Sequence, residues 1–237
     1  MTDKIPYNND ALSLMRKLSD INIQLTIKKS EDKSKIEING NNPSKSIIYE
    51  FKAPVDFFDF EGDTISFFDF KEFFTLFSVN EEPIINQNST KLEIVKNRAK
   101  LEYHLAEIDA FPDEDEEYVE FEESNASFKI TAETLKKFKT MASLTKAEEL
   151  TFKIIGDKIL IKLFYEENQP TYEEEFDLSE PASEDFELKM DSEIIKLAPE
   201  NDYKVELNAN GVVKFHYINN INIELDLYIA ESEDDDD

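Results

Sequence analysis

Two helical patterns in this chain return about half a chain later, and a duplicated unit constrains the fold more than any single motif. Residues 10–21, DALSLMRKLSDI, match 133–144, ETLKKFKTMASL, at a shift of 123. Residues 68–76, FDFKEFFTL, match 189–197, KMDSEIIKL, at a shift of 121. The second match sets Glu72 opposite Glu193, Phe73 opposite Ile194, Phe74 opposite Ile195 and Leu76 opposite Leu197. Each half therefore reads helix, strands, helix, strands at nearly constant spacing, which is the pattern of a tandem α+β duplication.

The helices are defined by periodicity. Phe70, Phe73, Phe74 and Phe77 fall at i, i+3, i+4 and i+7, which places them on one face of a helix that stops before Pro83. So many rings suggest a cofactor box, but core aromatics covering a sheet are the simpler reading. A first helix is predicted over 9–20, capped by Asn8 or Asn9, with Ala11, Leu14, Met15 and Leu18 inward. A third spans 131–144, with Thr131 as cap and Leu135, Phe138, Met141 and Ala142 inward. A short fourth runs over 191–198 and ends at Pro199. Alternating apolar residues predict strands around Ile23 to Ile27, Ile36, 47–51, Leu92, 101–105, 127–130, 171–178, 186–190, 205–207, 213–217 and 221–229. Runs 150–154 and 159–163 form a hairpin through Gly156 and Asp157.

Between the halves, residues 107–123 hold ten acidic residues among seventeen and no basic one. A block of like charge repels itself and stays extended. The expected organisation is an N-terminal subdomain over 1–107, an acidic linker over 108–124, a C-terminal subdomain over 125–230 and a disordered tail over 231–237.

The composition excludes several classes of function. Without cysteine there are no disulfides, thiolate metal sites or cysteine nucleophiles, which suits the cytoplasm. The start lacks the apolar core of a signal peptide and no apolar run approaches a membrane span, so a soluble protein with no membrane contact is expected. All four glycines sit in turn contexts, leaving no phosphate-cradling loop or nucleophile elbow. Enzyme activity, catalytic residues and cofactors are not expected. His104 and His216 lie in strand patterns of different halves and read as strand-surface residues, so no metal site is expected.

Charge placement is the informative quantity. The chain carries −28, which argues against a nucleic-acid partner if the charge is evenly spread. It is not evenly spread: the helical windows 10–20, 69–79, 131–147 and 190–198 carry 0, −1, +3 and −1, so 48 residues hold +1 and the other 189 hold −29. The bases involved are Arg16, Lys17, Lys71, Lys136, Lys137, Lys139, Lys146 and Lys196. They are either a solvated helical face or a face turned to phosphates.

The stretches DTISFFDFKEFFTLFSVNEEPII (63–85) and FELKMDSEIIKLAPENDYKVELNANGVVKFHY (186–217), with the linker between them, resemble the DNA polymerase sliding clamps. The similarity covers about residues 8–230 and is greater to the T-even bacteriophage type than to proliferating cell nuclear antigen. It implies an α+β DNA clamp fold, two similar subdomains each with two helices packed on antiparallel sheet, and a head-to-tail homotrimeric ring. The helices would line a hole around duplex DNA, with the eight bases above facing phosphates and reading no sequence. The implied role is a non-catalytic processivity factor in viral DNA replication, tethering the replicative DNA polymerase and loaded by an ATP-dependent clamp loader. By position, the subunit interface would use Leu101, Tyr103 and Leu105 on one edge strand and Tyr172, Phe176 and Leu178 on another. A partner-peptide pocket near the linker would use Ile108, Phe111, Tyr118, Val119, Phe121 and Ile229; alternatively those side chains pin the linker to its own sheet. Two rival readings are an acidic DNA-mimic inhibitor and a monomeric or dimeric processivity factor of the same fold.

Overall fold

The computed structural model describes residues 3–5, 7–78, 83–88, 90–107, 121, 123–165, 170–180, 182 and 184–231. The chain divides into two units, the first made of 1–43, 50–117 and 222–224, the second of 44–49, 118–221 and 225–237.

In the first half, the order is β1 (Asp3–Ile5), α1 (Asn9–Leu18), β2 (Leu25–Lys29), β3 (Lys35–Asn41), β4 (Ile47–Pro54), a 3-10 turn (Val55–Phe57), β5 (Thr64–Phe67), α2 (Phe70–Ser78), β6 (Ile84–Asn88), β7 (Lys91–Lys96) and β8 (Ala99–His104). The strands run side by side as β5-β2-β3-β4 and β1-β6-β7-β8. In the second half come β9 (Ala126–Ile130), α3 (Ala132–Thr145), β10 (Glu149–Ile155), β11 (Lys158–Phe164), β12 (Pro170–Asp177), β13 (Glu187–Asp191), α4 (Glu193–Leu197), β14 (Tyr203–Asn208), β15 (Val212–Tyr217) and β16 (Glu224–Ala230). Here the orders are β13-β10-β11-β12 and β9-β14-β15-β16. Advanced by one repeat, the first pair of orders becomes the second. The duplication seen in the helices thus extends to the strand topology. Residues 44–49, which include the start of β4, belong to the second unit.

The repeat is built from matching buried positions. Leu12 and Leu135, Met15 and Phe138, and Ser19 and Ala142 are pairs related by 123 residues, and all six are fully buried. Both long helices begin on side-chain caps that satisfy otherwise unpaired backbone N–H groups. Asn8 Oδ1 accepts from Asp10 N and Ala11 N at 2.9 and 3.1 Å. Thr131 Oγ1 accepts from Thr134 N at 3.2 Å. Tight turns take the left-handed conformation where the hairpins require it, at Gly156 (φ 62°) and Asn97 (φ 54°).

The rings of α2 anchor it as expected. Phe70 and Phe73 are fully buried and Phe77 nearly so. Phe73 meets Phe67 of β5 at 5.0 Å and Tyr103 of β8 at 5.5 Å, so one helix ties together strands of both sheets. Phe74 differs from expectation: it is half-buried and meets Phe77 at 6.0 Å, because 100° per residue carries the i+4 position toward the rim of the face.

Three further departures have clear causes. β1 and β6 form an antiparallel pair, Ile5 opposite Ile85, that alternation did not reveal. One strand has three residues and the other, IINQN, is mostly polar. Ile23 precedes β2 and is 48% exposed, and Ile221 lies in a turn before β16 and is 97% exposed. Both continue an apolar alternation beyond the point where the backbone stays paired. Helix α4 is only five residues long, with Ser192 ahead of it. Residues 232–237 of the tail predicted over 231–237, and most of the predicted linker, lie outside the described residues.

Candidate nucleic-acid interface

A sequence-independent nucleic-acid surface needs accessible ammonium and guanidinium groups that are not consumed by the protein's own acids. The predicted bases divide on that criterion. On α3, Lys136 and Lys137 are exposed and Lys139 is half-buried, while Leu135, Phe138 and Ala142 face the core. Lys146 is exposed and caps the helix in the left-handed conformation (φ 55°). Lys137 Nζ donates to Glu174 Oε2 of β12 at 2.9 Å and stands 5.4 Å from the centre of the Tyr172 ring. Tyr172 also donates to the same carboxylate oxygen. Contact with the Tyr172 hydroxyl and with Glu174 raises Lys137 to about 12, so it stays charged. Its charge is nonetheless shared with an acid.

In the first unit, α1 presents Arg16 and Lys17, both half-buried. Arg16 and Lys71 of α2 converge on one carboxylate, Asp20. Arg16 Nη1 lies 3.0 Å from each oxygen and Lys71 Nζ 2.7 Å from Oδ1. Burial works to raise the Asp20 carboxyl, but the hydrogen bonds from Lys71 and Arg16 outweigh it and hold it below the usual carboxylate range. Lys196 of α4 is exposed, yet its ammonium donates to Ala147 O at 2.9 Å, just past the end of α3. A cation there complements the carbonyl-rich end of a helix, so Lys196 helps to dock α4 on α3.

The predicted interface residues occupy the outer strands of their sheets. β8 ends the order β1-β6-β7-β8 and β12 ends β12-β11-β10-β13. Leu101 and Leu105 are half-buried. Tyr103 is 4% exposed, and its hydroxyl donates to Asp69 O at 2.9 Å and accepts from Asp69 N at 3.0 Å. Its side chain is therefore committed to the start of its own α2. Tyr172 and Phe176 are half-buried against Phe138 at 5.3 and 6.2 Å. Leu178 is half-buried one residue past β12.

Of the predicted pocket, Ile108, Phe111, Tyr118 and Val119 lie outside the described residues. Phe121 packs on Tyr228 at 6.5 Å, and Lys214 Nζ sits over the Phe121 and Tyr228 rings at 5.9 and 5.6 Å. Asp226 completes that cluster, 3.0 Å from Lys214 Nζ and 2.6 Å from His216 Nδ1. Ile229 is 1% exposed and belongs to the core. Successive residues of a strand point to opposite faces, so Ile229 and the Tyr228 partner of Phe121 do not share a pocket. Tyr228 was missed because alternation marks only the inward set Leu225, Leu227 and Ile229 as apolar.

Among the described residues, no group of three or more His, Cys, Asp or Glu is arranged to hold a metal. No described helix is long and apolar enough to cross a membrane.

No protein-family model and no curated protein matches the sequence. Solved structures do match over nearly the whole chain. The PCNA2–PCNA3 complex from Sulfolobus tokodaii aligns at a TM-score of 0.75 and 14% identity, covering 98% of this chain and 99% of that one. PCNA from Entamoeba histolytica aligns at 0.74 and 13% identity, covering 98% and 100%. A. fulgidus PCNA bound to the C-terminal region of FEN-1 aligns at 0.73 and 13% identity, covering 99% of both chains. Two copies of one α+β unit, each with two helices and two strand orders, thus superpose end to end on these proteins: the chain has the fold of the DNA sliding clamps.

Proposed function

We propose that this protein is a sliding clamp: a head-to-tail homotrimer that encircles duplex DNA and tethers a replicative polymerase to it, without catalysis of its own. The observation that carries the reading is the exposed pair Lys136 and Lys146 on α3 in a clamp-fold chain of net charge −28. A strongly acidic protein that keeps exposed bases on its helices attracts a phosphate backbone there and repels it elsewhere. Such contacts read no sequence, so the protein can slide.

Ring closure is supported by strand order. β8 ends the order β1-β6-β7-β8 and β12 ends the order β13-β10-β11-β12, so each has a free side within its own unit's order. β12 of one copy beside β8 of the next would leave neither edge exposed. Leu101, Leu105, Phe176 and Leu178 then line the junction, with Tyr172 above Phe138. Half-buried Phe121, packed on Tyr228 beside Lys214, is the described residue of the predicted pocket that could still meet a partner peptide. The T-even resemblance favours a viral replication setting in the host cytoplasm and an ATP-dependent loader as partner.

Light scattering tests the assembly: a mass about three times 27.6 kDa is expected. A strict monomer at every soluble concentration refutes the ring. In parallel, Lys136→Glu with Lys146→Glu is expected to weaken salt-sensitive binding to linear duplex without changing the circular dichroism spectrum. Unchanged binding removes the DNA-facing assignment. The rival favoured by the −28 charge is an acidic DNA mimic, which would compete with DNA for a basic partner and would not bind duplex itself.

A further inference from the structure

Asp20 lies just beyond α1 and is held by cations from two helices. Arg16 Nη1 straddles both of its oxygens at 3.0 Å, and Lys71 Nζ meets Oδ1 at 2.7 Å. The three side chains are 36 to 39% exposed. Exposed ion pairs of this kind contribute little to folding, so stability does not account for the arrangement. Chemically, a guanidinium and an ammonium converge from different helices on one anion that presents two oxygens. A phosphodiester presents the same two-oxygen anion, and charge-assisted hydrogen bonds to it have the same geometry.

We propose that Arg16 and Lys71 form a two-pronged seat for one phosphodiester of duplex DNA, and that Asp20 is the affinity-setting residue that occupies the seat in the free protein. This rests on the reading of the helical layer as the DNA-facing surface. Its new content is the self-competition: with Asp20 in place, an incoming phosphate meets a net +1 instead of +2, and must displace a carboxylate. The seat is particular to the first unit. By the repeat, Lys139 stands at the place of Arg16, Ser143 at that of Asp20, and Ser192 at that of Lys71. Ser192 is fully buried and its hydroxyl donates to Ala147 O at 2.6 Å. At the two equivalent positions the second unit therefore carries neither a second base nor a carboxylate. With Asp20 in place the α1–α2 seat holds its phosphate loosely, and a loose hold lowers the barrier to sliding.

The test uses the full chain, a short linear fluorescent duplex and a salt series read by anisotropy. Asp20→Asn keeps the shape and removes the charge; Asp20→Ser copies the second repeat. Both are expected to tighten binding about three- to tenfold at low salt and to steepen the salt dependence by about one phosphate contact. Glu31→Gln, which removes one charge from an exposed loop, is expected to change neither. Adding Arg16→Ala and Lys71→Ala to Asp20→Asn is expected to abolish the gain. The proposal is overturned if Asp20→Asn binds no tighter than Glu31→Gln, or if its gain survives loss of Arg16 and Lys71. Wild-type binding that depends on Lys136 and Lys146, with no gain from Asp20→Asn, overturns this proposal alone. Absence of binding by every variant overturns the DNA-facing reading with it.

Discussion

The assignment of α2 as the anchor of the first unit can be tested through two neighbouring phenylalanines. Phe73 is fully buried and, among the described residues, has five ring neighbours: Phe67 at 5.0 Å, Phe70 at 5.4 Å, Tyr103 at 5.5 Å, and Phe58 and Phe77 at 6.4 Å. Truncating a buried phenylalanine to alanine costs about 3–5 kcal/mol. Five aromatic contacts, each favourable beyond area burial, put Phe73→Ala at the upper end, about 4–5 kcal/mol. Domain stabilities are of order 5–15 kcal/mol, so the first unit should be close to unfolding on its own. Phe74 is half-buried and meets Phe77 at 6.0 Å, and Phe74→Ala should cost about 1–2 kcal/mol. Urea melts followed by far-ultraviolet circular dichroism give the two losses, and hydrogen exchange over 70–78 assigns them to the first unit. Phe73→Leu, which retains part of the side chain, provides a milder variant if the alanine does not fold. Equal losses at Phe73 and Phe74 would mean that the helix is rotated relative to the sheet from the position described. A Phe73→Ala loss below about 2 kcal/mol would refute the anchoring argument itself.

Tyr103→Phe separates an intramolecular role from an interface role: losing both hydrogen bonds to Asp69 should cost the first unit about 1–2 kcal/mol while the mass in solution stays unchanged. Dissociation at unchanged stability would return Tyr103 to the interface. Glu102 gives a pH signature. Hydrogen bonds from Lys91 and then Lys100 lower it from 4.5 to about 2. Its contribution is present above 4.5, where the unfolded carboxylate is ionised, and is lost as pH falls toward 2. Thermal melts across that window should show a shallower acid limb for Glu102→Gln than for wild type; identical limbs would show that the Lys91–Glu102–Lys100 network is not formed in solution.

The spacing of Phe70, Phe73 and Phe77, the caps Asn8 and Thr131, and the duplication at shifts of 123 and 121 are local or self-referential signals, and they determine helices, turns and the α+β repeat. The exclusion of acid from the helical windows is equally a property of the chain alone. Partners distant in sequence are not encoded that way. The pairing of β1 with β6 brings together residues some eighty apart, and neither strand alternates strongly. Periodicity counted Asp20 as one more helical charge; only packing of α1 against α2 placed it between Arg16 and Lys71. Likewise nothing in the local sequence brings Glu174 of β12 to Lys137 or shows that the pleat of β16 turns Ile229 into the core. Local sequence determined which faces are apolar and which are basic, because side-chain direction follows backbone period. The tertiary structure decided which charges are free, because an ammonium's availability depends on the acids that folding brings within hydrogen-bonding distance.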